Sequence, residues 1–313
     1  MAGRVDLDFT GFAPQTVERV LRLLTVLDAI NADSYLGGKV CLHGGTALNL
    51  FILDMPRLSV DIDLNYIGSP NLEQLTEERP RVERAVIAIG SRLGFNVTPG
   101  KSEHSGRSFR LQYAGTYGTD SVKIDLDYLN RSPLLPVEPK TVRLNTGESV
   151  TFPLNSEIEL MAGKTKALVE RVAVRDLYDI CHISQRLPEA LAGGDPHLRR
   201  RVVLYYLSIS GPFPRPFRVA DRFASRNNDI EYMLYPVLRA DDRPTLDELI
   251  SAAEQHVREF SEPKDENESE YLERADKADF APELLFDNYP QTLAAARLDP
   301  AAAWKMRNLA KSQ

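Results

Sequence analysis

The feature that most narrows the choice of fold is an alternating run, Val60-Asp61-Ile62-Asp63-Leu64, set shortly after a glycine turn, Gly44-Gly45-Thr46. Alternation is the period of a half-buried strand, whose successive side chains take opposite faces. Asp61 and Asp63 therefore share one face, and Val60, Ile62 and Leu64 the other. Two carboxylates held side by side repel each other unless a cation sits between them. Oxygen-only ligands favour Mg2+ or Mn2+ over zinc. The glycines lead into a helical pattern from Thr46 to Asp54, stopped by Pro56. Backbone N–H groups and the Thr46 hydroxyl are thus expected to face an anionic phosphate at a helix N-terminus.

A second run, Val122 to Tyr128, repeats the logic: Val122, Ile124, Leu126 and Tyr128 on one face, Lys123, Asp125 and Asp127 on the other. If the two strands are neighbours, three or four carboxylates converge, as phosphoryl or nucleotidyl transfer requires. Two carboxylates hold the metals that grip a triphosphate, and a third deprotonates the attacking hydroxyl or shares the second metal. Taken singly, either pair also fits solubility aspartates on an edge strand.

The rest of the chain frames this centre. Residues 14–31 carry apolar residues at helical spacing with Pro14 in the first turn, and residues 73–93 read as an amphipathic helix closed by Gly94. Lys39 to Leu42 and Asp61 to Tyr66 read as strands. Gly115 and Gly118 predict a hairpin between the runs at 109–114 and 122–129, and a further strand is expected near Thr141 to Leu144. After Pro153 the character changes: residues 156–187, 197–209, 245–260 and 291–310 are helical by pattern, separated by stretches such as Gly211-Pro-Phe-Pro-Arg-Pro. The expected organisation is a mixed α/β domain over residues 1–150 and a helical C-terminal domain over 151–313. The acidic segment 259–279 reads as a solvated helix face or a mobile loop.

Composition sets outer limits. Hydrophobic content of 43% and charged content of 27% are those of a globular protein, and the two cysteines, Cys41 and Cys181, stand in no metal-ligand spacing. A disulfide framework is not expected, and a reducing cytoplasm fits. Neither a signal peptide nor an apolar stretch of the roughly 18 residues needed for a membrane span is apparent, so no membrane partner is expected. The net charge of −7 argues against a protein that coats polyanions, though a local basic groove would still serve nucleic acid. Candidate phosphate contacts are Arg199-Arg200-Arg201 and Arg215 with Arg218, for which a solvated surface is the competing reading. Tyr205, Tyr206, Phe213 and Phe217 read as core or cap residues, and His43 as a structural histidine beside the glycines.

Four ordered motifs over residues 42–180 resemble the AbiEii/AbiGii-type nucleotidyltransferase toxins, including the mycobacterial MenT toxins, of the polymerase-beta-like superfamily. They are Gly44-Gly45-Thr46-Ala47-Leu48-Asn49-Leu50; Arg57-x-Ser59-x-Asp61-Ile62-Asp63-Leu64; Lys164-Thr-Lys-Ala167-Leu168-x-x-Arg171; and Arg175-Asp176-Leu-Tyr178-Asp179-Ile180. The resemblance implies an α+β fold, with a nucleotidyltransferase-like mixed β-sheet and flanking helices followed by a mainly helical C-terminal region that completes the active-site cleft. It implies Mg2+ (or Mn2+) on Asp61, Asp63 and Asp125, with Asp125 the third carboxylate in preference to Asp127, and Gly44, Gly45 and Thr46 at the triphosphate. Gly45 stands where many superfamily members have serine, so a side-chain phosphate contact is lost or passes to Thr46. Lys164 would neutralise triphosphate charge, and Asp176 or Asp179 would complete the site. Arg57 and Ser59 flank the aspartates, where Arg57 would orient the carboxylates or their loop. Lys164 and Arg171 fall on nearly one helix face, a cationic stripe for polyphosphate or RNA; the competing reading is a solvated face with an Arg175–Asp179 pair.

The implied activity is transfer of a nucleoside monophosphate from an NTP to an RNA acceptor, the tRNA 3′ end, blocking translation, with a cognate antitoxin protein as partner. Rival readings are a nucleotidyltransferase acting on a small molecule or protein hydroxyl, and a nucleotide-binding regulatory module without turnover.

Overall fold

A computed structural model describes residues 4–190, 194–209 and 217–312. The elements run β1 (Arg4–Asp6), α1 (Pro14–Asn31), β2 (Val40–His43), α2 (Gly44–Phe51), β3 (Asp61–Tyr66), α3 (Leu72–Arg92), β4 (Asn96–Pro99), β5 (Gly106–Gly115), β6 (Gly118–Asp127), β7 (Glu138–Arg143) and β8 (Ser149–Leu154). Helices α4 (Glu157–Arg171), α5 (Val174–Ala190) and α6 (Pro196–Ser208) follow, and later helices span Leu246–Ser261, Glu266–Asp276, Pro290–Arg297 and Pro300–Ser312. Phe213 and Arg215 lie outside the described residues. The architecture is α+β: a mixed sheet with flanking helices, then a mainly helical C-terminal region. Two compact units are formed, Met1–Asn155 with Val237–Asp241, and Ser156–Pro236 with Asp242–Gln313.

The first unit is organised by a sheet whose eight strands, among the described residues, lie in the order β1-β7-β8-β2-β3-β6-β5-β4. Strand β3 runs antiparallel to β2 and parallel to β6. The hairpin β5–β6 closes at Gly115 opposite Gly118, as the glycine spacing predicts. Phe109, Leu111, Val122, Ile124 and Leu126 form one buried face, and α1 and α3 pack on the sheet. A Cβ on Gly90 of α3 would stand 2.6 Å from Val97 Cγ2, so the helix comes this close only because residue 90 has no side chain. Strands β1 and β4, the two sheet edges, escape sequence prediction because three or four residues show no usable period. Helix α2 begins at Gly44 and ends at Phe51, before the expected limits; Asp54 and Met55 take positive φ ahead of Pro56.

The second unit is helical. Residues 156–187, helical by pattern, divide at Val172, whose φ of 53° is left-handed and ends α4. Ser156 caps α4, Asp195 caps α6, and Thr245 with Glu248 forms a capping box on the helix Leu246–Ser261. The acidic segment departs from expectation. Its helix Glu266–Asp276 buries Glu268, Tyr271, Leu272 and Ala275, which recur at helical spacing. Glu268 meets Arg200 at 2.9 Å. Both cysteines, Cys41 in β2 and Cys181 in α5, are buried thiols that form no disulfide. No described helix is long and apolar enough to cross a membrane.

Candidate active site

The parallel register of β3 and β6 sets Asp63 beside Asp125, Asp61 beside Lys123, and Asn65 beside Asp127. Neighbouring residues in register share a face, so the two carboxylate pairs stand on one side of the sheet. The row continues outward, with His43 opposite Asp63 on β2 and Ser108 opposite Asp125 on β5. The apolar partners Ile62, Leu64, Ile124 and Leu126 are buried on the other face. Burial of that face thus fixes the register, and the register in turn sets the acids together.

Gly44 joins this row to the start of α2. Its φ is +71°, and a Cβ there would fall 2.2 Å from Asp63 Oδ2. The carboxylate therefore lies against bare backbone where the helix begins, and the first N–H groups of a helix have no intrahelical partner. The Thr46 hydroxyl does something other than the sequence suggested. Thr46 is fully buried, and its Oγ1 donates to the carbonyl of Asp61, tying α2 to β3 rather than facing a phosphate. Arg57 and Ser59 are also buried, and Arg57 donates to the carbonyl of Leu58, so it holds the approach loop.

Of the two carboxylates on β6, Asp125 stands next to Asp63. Asp127 accepts from the backbone N–H groups of Leu129 and Asn130 and from Asn130 Nδ2, and so closes the turn after the strand. Asp125 Oδ2 accepts from the Lys123 ammonium at 2.6 Å. A cleft of about 410 Å³ opens at Asp125, with Lys101, Glu103, Ser105 and Ser108 among its walls.

Among the described residues, no three His, Cys, Asp or Glu side chains stand close enough together to enclose a metal ion. Asp61 and Asp63 nevertheless fit a hard cation. Mg2+ commonly takes one or two protein carboxylates and completes its shell with water and substrate phosphate oxygens. A further hard oxygen, Asn65 Oδ1, is buried on the same face without a hydrogen-bond partner. Sequence reading put Lys123 on the acidic face without giving it a role, and passed over Asn65, although it continues the period of the aspartates.

The second unit collects the other candidates. Lys164 Nζ lies 3.1 Å from Asp176 Oδ1 and 2.7 Å from Asp179 Oδ2, with all three side chains buried. Arg171 forks onto Asp176 at 2.7 and 2.8 Å. Burial pushes the Asp176 carboxyl up, but the Lys164 ammonium and the Arg171 guanidinium outweigh it and hold the group below its ordinary range. Lys164 and Arg171 thus share a face, as their spacing predicts. Asp176 and Asp179 both contact Lys164, so geometry does not rank them. Arg175 donates to the carbonyl of Met233. Of the arginines weighed as phosphate contacts or solvated surface, Arg200 is buried on Glu268, Arg201 donates to the carbonyl of Leu285 and is only 14% exposed, Arg199 is half-buried and Arg218 is exposed. Tyr205 and Phe217 are core residues, as expected. Tyr205 donates to Asp299 and Tyr206 to Glu159.

Paired acids thus stand on adjacent strands beside a glycine-opened helix. The model of the nucleotidyl transferase AbiEii toxin family, type IV toxin–antitoxin system, matches residues 25–262, and the chain belongs to that family. It is a nucleotidyltransferase toxin, for which an NTP co-substrate and an antitoxin counterpart follow from membership. No curated protein matches the sequence significantly. Among solved structures, MenT4, a nucleotidyltransferase toxin from Mycobacterium tuberculosis H37Rv, aligns with a TM-score of 0.58 at 18% identity, over 90% of this chain and 92% of that one. JHP933 from Helicobacter pylori aligns with a TM-score of 0.51 at 15% identity, over 80% of this chain and 93% of that one. At such identities the likeness is one of fold.

Proposed function

We propose that the acidic row on β3 and β6 is the catalytic centre, and that the chain transfers a nucleoside monophosphate from an NTP to the 3′ end of tRNA, stopping translation. The observation that carries this reading is the seat of Asp63, against Gly44 on one side and beside Asp125 on the other. Asp61 and Asp63, with Asp125 as the third carboxylate, would hold Mg2+ (or Mn2+), which when bound neutralises phosphate charge and polarises the reacting oxygens. Backbone N–H groups of Gly45 and Thr46 meet the phosphates at the helix start. Asp125 takes the proton of the acceptor hydroxyl as its oxygen bonds to the α-phosphorus, and the bond to pyrophosphate breaks. The cleft at Asp125 gives the acceptor a way in.

The family correspondence assigns Lys164 and Arg171 to triphosphate charge and Asp176 or Asp179 to the site. Both cations are engaged with Asp176 here, so that role requires them to exchange partners.

The test is expression of wild type and Asp61→Ala in a bacterial host, followed by sequencing of tRNA 3′ ends. Extra residues on tRNA in the wild type alone are expected. Labelled NTP transferred to protein or a small molecule, with tRNA ends unchanged, overturns the assigned acceptor.

A further inference from the structure

The acidic row contains a cation supplied by the chain itself. Lys123 lies opposite Asp61 in the β3–β6 register and two residues before Asp125 on the same face. Its ammonium donates to Asp125 Oδ2 at 2.6 Å. On the far side, Arg110 of β5 stands directly opposite Lys123, and like charges so placed repel. Among the described residues, Arg110 itself makes only a long hydrogen bond to Ser121 Oγ, at 3.5 Å. Lys123 thus faces a cation on one neighbouring strand and Asp61 on the other, and its ammonium is held by Asp125 of its own strand.

Two cations of this molecule can be compared. Lys164 is clamped between two buried carboxylates, as a structural ion pair should be. The Lys123–Asp125 pair is open, with the side chains 49% and 41% exposed. Water and salt screen such a pair, so a divalent cation can displace the ammonium readily. An ammonium neutralises one carboxylate; a divalent ion carries twice the charge and bridges two. Displacement frees the lysine beside the place where a triphosphate brings its own negative charge.

We propose that Lys123 is a positioning residue that couples cation binding to nucleotide binding: it occupies Asp125 in the empty site and passes to the triphosphate when the metal-bound nucleotide arrives. This rests on the nucleotidyl-transfer reading of the same site. Because coupling is reciprocal, the factor by which nucleotide tightens cation binding equals the factor by which the cation tightens nucleotide binding.

The experiment is titration of full-length protein with Mn2+, following free Mn2+ by electron paramagnetic resonance, with and without a non-hydrolysable NTP analogue. Without nucleotide, Lys123→Met is expected to bind Mn2+ about twofold to fivefold more tightly than wild type, the range set by an exposed ion pair. The enhancement produced by nucleotide should shrink by a similar factor. Lys123→Arg should behave as wild type, and Lys123→Met should bring no gain in an Asp125→Asn background. Equal Mn2+ affinity and equal enhancement in wild type and Lys123→Met overturn the coupling role while leaving the site intact. Wild type that binds no Mn2+ even with nucleotide overturns the site reading and this inference together.

Discussion

Gly44 shows how far one residue can decide a site. Two demands meet there, a left-handed backbone and a carboxylate 2.2 Å from where a Cβ would be. Gly44→Ala should cost about 1–2 kcal/mol through the backbone alone and should also move Asp63 and abolish nucleotidyl transfer. Gly38 separates the two effects. Its φ is +77° with open space around it, so Gly38→Ala should lower the melting temperature and keep activity. A different residue sets a pH response. Burial lowers His256 from the ordinary 6.5 to about 4, between the Thr165 and Ser184 hydroxyls. The unfolded chain binds the extra proton first, so this contribution is complete above pH 6.5 and is lost as pH falls toward 4. Denaturant midpoints across that window should fall for wild type and stay flatter for His256→Gln. The paired aspartates were legible because strand period alone places them on one face. The Thr46 hydroxyl was not, since its partner, the Asp61 carbonyl, comes from a neighbouring element.

At the level of elements, β6 assigns different tasks to two carboxylates of identical chemistry. Asp125→Asn should remove transfer activity with little change in stability. Asp127→Ala should cost about 1 kcal/mol by releasing the turn N–H groups and should retain more activity; thermal melts and transfer assays on both variants check this. The alternation of β6 was plain in the sequence, but the ranking of the two acids needed the register against β3. The break between α4 and α5 was hidden for another reason. Val172 is neither glycine nor proline, and β-branched residues rarely turn left-handed, so only packing of the two helices accounts for it. That packing rests on the Lys164 cluster. Lys164→Met leaves Asp176 and Asp179 buried together without their shared cation and should destabilise the helical unit by about 3–5 kcal/mol, read as a lowered melting temperature.

Across the whole molecule, charge is a poor guide to the site. A net charge of −7 hides a local pattern in which acids and two cations alternate along neighbouring strands. The helical half was legible as helices and largely illegible as chemistry. Arg200 looked like a contact for RNA and is instead buried on Glu268, and the acidic run around it turned out to carry a core-facing stripe. Sequence pattern identifies which residues share a face, and tertiary packing decides whether that face meets water. The two thiols carry a practical consequence of the same packing. Each compact unit encloses a single thiol, Cys41 in one and Cys181 in the other, and burial pushes the Cys181 thiol up to about 12. Both should react slowly until their own half opens, so pulse labelling along a denaturant ramp, with the tagged peptides resolved by mass, times the unravelling of each half with no engineered probe.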